Sequence, residues 1–251
     1  MKKFLLMIFC AAIICNFFLC INADANFNKK NFADTSKDNS LTKKEKQEGW
    51  KLLFDGENLK GWHFYQNKKS DCWNVENNAI HTKGKDTKKH ADLMSDGEFQ
   101  NFELSVDWKV SPQANSGILY LVSEKYDQSY LSGPEYQIID DKGYPEKIED
   151  WQKSGANYAM NAPSEDATKP VGEWNRTTII VNNGHVEHWL NGKKVVDYDL
   201  WSDEWKKNKA AEKWKDVASY GASKIGHIAL QESHSGNPGE IWFKNIKIKT
   251  L

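Results

Sequence analysis

Glu135 and Gln137 stand two apart in Pro134-Glu135-Tyr136-Gln137-Ile138-Ile139-Asp140, a run with the Tyr and Ile content of a β-strand. Residues two apart in a strand point to the same face. An acid beside an amide can move a proton and can both donate and accept hydrogen bonds. Buried without partners, each would cost on the order of 1–3 kcal/mol. The pair is therefore expected to face water, each other or a ligand. Further segments repeat this polar-in-strand character. Asn115-Ser116-Gly117-Ile118 puts an amide beside a glycine that permits close approach. His188-Trp189-Leu190-Asn191-Gly192 carries an imidazole, the side chain suited to take a proton near neutral pH. Leu230-Gln231-Glu232-Ser233-His234 adds a second amide and a second imidazole. Together they predict a polar cavity for a polyhydroxylated ligand, with Asn115, Glu135, Gln137, His188 and Gln231 converging on one hollow.

Several chemistries find no support. Ser235 lacks the G-x-S-x-G context of a nucleophile elbow, and no H-E-x-x-H spacing occurs. His185 and His188, three apart in a β region, point to opposite faces and do not share a metal. The adjacent Asp140 and Asp141 suit either a hard cation or a solvated turn. No cofactor is indicated with certainty; a divalent metal near Glu135 and Asp140 is one possibility.

The elements that must position these residues are short strands. Phe102 to Val110 alternates strictly, with Phe102, Leu104, Val106, Trp108 and Val110 on one face. Cys72–Val75 and Ala79–Thr82 flank Glu76-Asn77-Asn78 as a hairpin. Arg176–Val181, Val186–Leu190 and Lys194–Tyr198 form a meander turned at Asn182-Asn183-Gly184 and Asn191-Gly192. No β-α-β alternation appears. The spacing predicts an all-β fold, a two-sheet antiparallel jelly-roll sandwich with a short helical insertion. That insertion spans Ser202 to Ala218, where Trp205 and Trp214 would lie on opposite sides of one straight helix, so two short helices or a broken one fit better. Residues 142–172 form a long irregular insertion of the kind on which sites are built.

The chain has 251 residues, 34 basic and 35 acidic, so its net charge of -1 gives no field to capture nucleic acid. Eleven Trp imply either a heavy aromatic core or a sugar-stacking surface. Lys2, Lys3 and the apolar run Phe4–Ile21, followed by Ala23-Asp24-Ala25, read as an export signal over 1–25 and a periplasmic or extracellular location. Cys10, Cys15 and Cys20 fall inside it, leaving only Cys72 beyond. Cys20 is either filler in the signal or a lipidated cysteine, the one route to membrane attachment. Residues 26–48, rich in Lys, Asn, Asp and Ser, read as a disordered linker to a domain over 49–251.

Gly49-Trp50-Lys51-Leu52-Leu53-Phe54-Asp55-Gly56 with Leu59-Lys60-Gly61-Trp62 resembles the opening of the 3-keto-disaccharide hydrolase family. Phe102-Glu103-Leu104 with Asp107-Trp108-Lys109, Asn115 to Ile118, Glu135 to Ile138 with Asp140, Trp174-Asn175, His188 to Gly192, Gly226 to Gln231 and Phe243 to Ile246 resemble its later blocks, in order. Leu119 to Val122 stands where the family often shows Arg, and Glu232 to Gly236 is longer than the family's D-H-G. The resemblance implies a concanavalin-like jelly roll and activity on sugars oxidised at C3. A C3 ketone acidifies the hydrogen on C2. A base can remove it, the C1–O bond then breaks by elimination, and water can add back. For that chemistry the residues offer His188 as base with Glu135 as the alternative, and His234 as proton donor to the leaving oxygen. Asn115, Gln137, Gln231, Asp140, Trp174 and Asn191 would bind the substrate, a 3-keto glycoside. The rival reading is a non-catalytic carbohydrate-binding module with a platform such as Trp62, Trp151 or Trp174. A purely structural envelope protein would leave the polar strand faces without a role.

Overall fold

The computed structural model describes residues 37–211, 213–234 and 236–251. Among them the strands run β1 (Lys51–Leu52), β2 (Trp62–Phe64), β3 (Trp73–Glu76), β4 (Ala79–Lys83), β5 (Leu93–Phe99), β6 (Phe102–Val110), β7 (Asn115–Val122), β8 (Glu135–Ile139), β9 (Asn175–Asn182), β10 (His185–Leu190), β11 (Lys193–Asp199), β12 (Gly226–Leu230) and β13 (Glu240–Thr250). The helices are α1 (Lys43–Gln47) and α2 (Asp203–Ala211). The larger sheet has the order β11-β10-β9-β6-β13-β4-β3, with β1 added on β13; the smaller has the order β2-β5-β12-β7-β8. All pairings are antiparallel. This is the two-sheet jelly-roll sandwich expected from the alternation.

The inward residues of β6, from Phe102 to Val110, pack with Ile118 and Tyr120 of β7, Tyr136 and Ile138 of β8 and Phe243 of β13 in one core between the sheets. The meander closes through Asn183-Gly184 and Asn191-Gly192, whose φ values of 52°, 89°, 51° and 84° are those of a tight hairpin turn. The smaller sheet differs from a simple half-buried sheet because its outer face is covered as well. Every residue of β8 is buried, and Tyr65, Met94, Leu119, Val122 and Ala229 form a second apolar cluster. That second layer makes a buried polar site possible on the outer side.

The insertion after β11 is broken, as expected. Helix α2 ends at Ala211 and turns follow. The break lets both Trp205 and Trp214 stack on Tyr220, with ring centroids at 6.3 and 4.1 Å. The linker expected over 26–48 is contradicted in its described part. Thr42 caps α1 in a capping box with Glu45. Asn39 exchanges backbone and side-chain hydrogen bonds with Asn245, Lys244 pairs with Asp38 at 2.7 Å, and Lys247 pairs with Glu45. Low hydrophobicity misleads here because this segment is held by polar clasps to β13 rather than by burial of its own side chains. The export signal and Cys20 lie outside the described residues.

Candidate active site

Strands β12, β7 and β8 are neighbours, and their outward positions meet. Gly117 of β7 pairs with Gln137 of β8, and Leu119 with Glu135. Just past β12, the backbone N–H of Gln231 donates to Gly117 O at 2.9 Å, and Ser116 Oγ donates to Gln231 O at 2.7 Å. Asn115, Gly117, Glu135, Gln137 and Gln231 thus share one patch. Gln137 Nε2 donates to Asn115 Oδ1 at 3.0 Å, which orients both amides. Gln231 Oε1 is buried without a hydrogen-bond partner, an acceptor suited to a ligand hydroxyl.

Gly117 makes room for the acid. A Cβ there would lie 2.4 Å from Glu135 Oε1 and 2.8 Å from its Cγ. Gly117→Ala is therefore expected to push the Glu135 carboxyl out of place and to reduce kcat while the sandwich stays folded. Steady-state kinetics beside a thermal melt check this; an unchanged kcat would argue that the Glu135 position is irrelevant.

Loops from separate parts of the chain roof the patch. Tyr130 comes from the short turn before β8, Tyr158 from the 142–172 insertion, Lys213 from the turn after α2 and His234 from the β12–β13 connection. With Asn115, Glu135, Gln137 and Gln231 they line a hollow of about 120 Å³, partly open to solvent. Larger hollows exist beside Asp197–Trp205 and beside Asp141–Asp166. They lie along loops and helix α2, without the outward side chains of three adjacent strands.

The electrostatics of the hollow are unusual. Glu135 is 5% exposed, and burial pushes its carboxyl up to about 8, against the pull of Lys213 and with a contribution from Asp92. Lys213 is exposed along its length, but its ammonium lies over the rings of Tyr158, Trp214 and Tyr130 at 4.4, 4.6 and 5.8 Å. Burial of that end lowers its pKa. His234 is held neutral to lower pH by burial first, and then by neighbouring Lys213 and His90. A protonatable acid, a free imidazole and a caged ammonium thus face one space.

The structure brings Asn115, Glu135, Gln137, Gln231 and His234 together and leaves four predicted site residues elsewhere. His188 belongs to β10 of the larger sheet and lies between the sheets, 0% exposed. Its Nδ1–H donates to Gly155 O and its Nε2 accepts from Tyr120 OH, both at 2.9 Å. Tyr198 OH donates in turn to Tyr120 Oη at 2.6 Å. Burial lowers its pKa to about 4. It is a satisfied core histidine, and the sequence expectation of a base at this position is corrected. Asp140 accepts backbone N–H groups from Gln113, Lys142 and Gly143 and so builds a turn. Asn191 clasps Ala167 O, Asn175 Oδ1 and Arg176 N at the meander turn. Trp174 lies under Lys109 and Lys244 of the larger sheet. Of the platform suggested for the rival reading, Trp62 is buried with its indole N–H on Leu53 O. Sequence reasoning missed Tyr130, Tyr158 and Lys213. Their loops have no periodicity, and the only available signal was the Lys213-Trp214 pair beside a helix break.

A family model described as a 3-keto-α-glucoside-1,2-lyase-like domain matches residues 49–249. A 3-keto-disaccharide hydrolase of Bacteroides thetaiotaomicron is 31% identical in a 229-residue alignment that covers 81% of this chain and 79% of that protein. A crystal structure from Parabacteroides distasonis, assigned as a candidate glycosyl hydrolase, is 40% identical with a TM-score of 0.79, covering 86% of this chain and all of that one. A second such structure from the same species is 26% identical with a TM-score of 0.62, covering 80% of this chain and 99% of that one. The fold, the ordered blocks and these matches agree: this chain belongs to the 3-keto-α-glucoside-1,2-lyase-like family.

Proposed function

We propose that this protein is a carbohydrate-active enzyme that cleaves the glycosidic bond of sugars carrying a ketone at C3, with Glu135 as the base. The observation that carries the reading is the buried Glu135 carboxyl opposite the caged Lys213 ammonium, in a hollow otherwise lined by amides. In this reading the Glu135 carboxylate takes the C2 hydrogen as a proton, and the electron pair moves into the C2–C3 enediolate. Lys213 faces the developing negative charge, which a fixed cation stabilises. The enediolate then expels the C1 oxygen. The proton collected by Glu135 goes to that leaving oxygen, and neutral His234 at the rim hydrogen-bonds it. Asn115, Gln137 and Gln231 hold hydroxyls. Water added across the resulting C1–C2 double bond completes hydrolysis; without it the product is that of a lyase. No second carboxylate flanking C1 is needed, unlike ordinary glycosidases.

The opposite pKa shifts of Glu135 and His234 favour one alternative, with His234 as base and Glu135 as acid. The test is incubation with a 3-keto disaccharide across pH, measuring release of the leaving sugar. With Glu135 as base, kcat/KM rises with pH up to about 8. A fall through the same pH assigns the acid role to Glu135. Binding without turnover at any pH sinks the enzyme reading and leaves a carbohydrate-binding module.

A further inference from the structure

One residue beyond Gln231, the chain turns a carboxylate away from the hollow toward a different group of side chains. Glu232, His90 and Cys72 come from the β12–β13 loop, the segment before β5 and the residue before β3. One ligand atom of each lies within 4.8 Å of the others. The donors at about 2.0–2.3 Å from one tetrahedral ion are separated by roughly 3.5 Å, so small side-chain movements would close this group on a cation.

The hydrogen bonds around His90 fix the direction of its ring. Thr87 Oγ1 donates to Gly84 O at 2.9 Å, and His90 Nε2 lies 3.2 Å from Thr87 Oγ1. His90 Nδ1 then faces Glu232 Oε2, 2.9 Å away, and the two share a proton that a metal ion would replace. Cys72 Sγ, almost fully buried, lies beside them. A second group, His185 with Glu187 and Asp197, differs because Lys194 already supplies its cation, paired with both carboxylates.

We propose that Cys72, His90 and Glu232 form a binding site for a zinc-class transition-metal ion. A thiolate, an imidazole and a carboxylate suit zinc or cobalt rather than magnesium or calcium. Binding releases the Cys72 proton and the proton shared by His90 and Glu232, and places the ion on His90 Nδ1 and Glu232 Oε2, with water completing the coordination. The ion ties three separate segments together. One is the loop bearing Gln231 and His234, which already packs so closely on Gly84 that a Cβ there would lie 2.0 Å from His234 O. The role is to hold that loop, apart from the reacting atoms.

The experiment uses the full chain, stripped with a chelator and titrated with Co²⁺ and then Zn²⁺. One equivalent of Co²⁺ is expected, with a near-ultraviolet thiolate-to-cobalt band that Zn²⁺ abolishes. Cys72→Ser should remove the band. Glu232→Gln, which keeps shape and thiol, should weaken binding by more than the about 10–100-fold typical of losing an outer-shell partner. Thermal melts identify folded variants, and Glu232→Gln decides the question if Cys72→Ser does not fold. No binding by the wild-type chain, no thiolate band, or equal affinity in a folded Glu232→Gln variant would overturn the proposal. The readout is metal binding, so it stands or falls separately from the sugar chemistry.

Discussion

Glu135→Gln is expected to lower kcat on a 3-keto disaccharide by about 10²–10⁴, the range for removing a general base. Its pH limb near 8 should vanish with it. The substitution keeps the shape of the side chain and its place over Gly117, so the loss reads chemistry rather than folding. It should also stabilise the protein at alkaline pH. The folded-state pKa of Glu135, about 8, lies above the ordinary carboxyl value of 4.5. The folded protein therefore holds a proton that the unfolded chain gives up. Between about pH 4.5 and 8 this group makes stability fall as pH rises, and above about 8 the full penalty of a buried charge applies. Denaturant melts at pH 6 and pH 9 should show the variant gaining on wild type at the higher pH. A folded variant that keeps full turnover would end the assignment of Glu135 as base.

His188→Ala is the converse case. It removes a fully buried ring, opens a cavity, and strands Gly155 O and the Tyr120 hydroxyl. The expected cost is about 2–5 kcal/mol of folding stability. The bond to Gly155 gives His188 a positioning role as well. Gly155 N–H donates to Gln137 O, Gln137 N–H to Ala156 O and Tyr158 N–H to Glu135 O, so the insertion is laced along the edge of β8. His188 props that lacing from inside the core. Activity of the folded fraction should fall far less than in Glu135→Gln, because His188 touches no substrate. A stable His188→Ala protein that has lost 10²-fold or more in kcat would restore the base role to this residue.

The two histidines show why the site was only partly legible. His188 and His234 have the same chemistry; the first lies within a strand-like run and the second just past one. His188 shares a face of β10 with Val186 and Leu190, and that face looks into the core. The acceptor and donor that satisfy it, Gly155 O and Tyr120 OH, lie 33 and 68 residues away in sequence. Nothing local distinguishes a core histidine with such partners from one lining a cavity. Asp140 and Asn191 misled for a related reason, since turn-building side chains and ligand-binding ones use the same functional groups. Gly117 was better read, because a glycine within a strand implies close approach, here of the Glu135 side chain.

The residues alone determined the antiparallel sandwich, the hairpins at Asn77, Asn183 and Asn191, and the common face of Glu135 and Gln137. Period-two alternation and left-handed turn positions are local properties, so the chain states them directly. The tertiary structure alone decided which sheet each strand joined, and therefore that His188 faces the core while Glu135 faces the hollow. It also brought Lys213, Tyr130 and Tyr158 over the acid. Those placements depend on strand order and on aperiodic loops, which arise from packing between segments far apart in sequence.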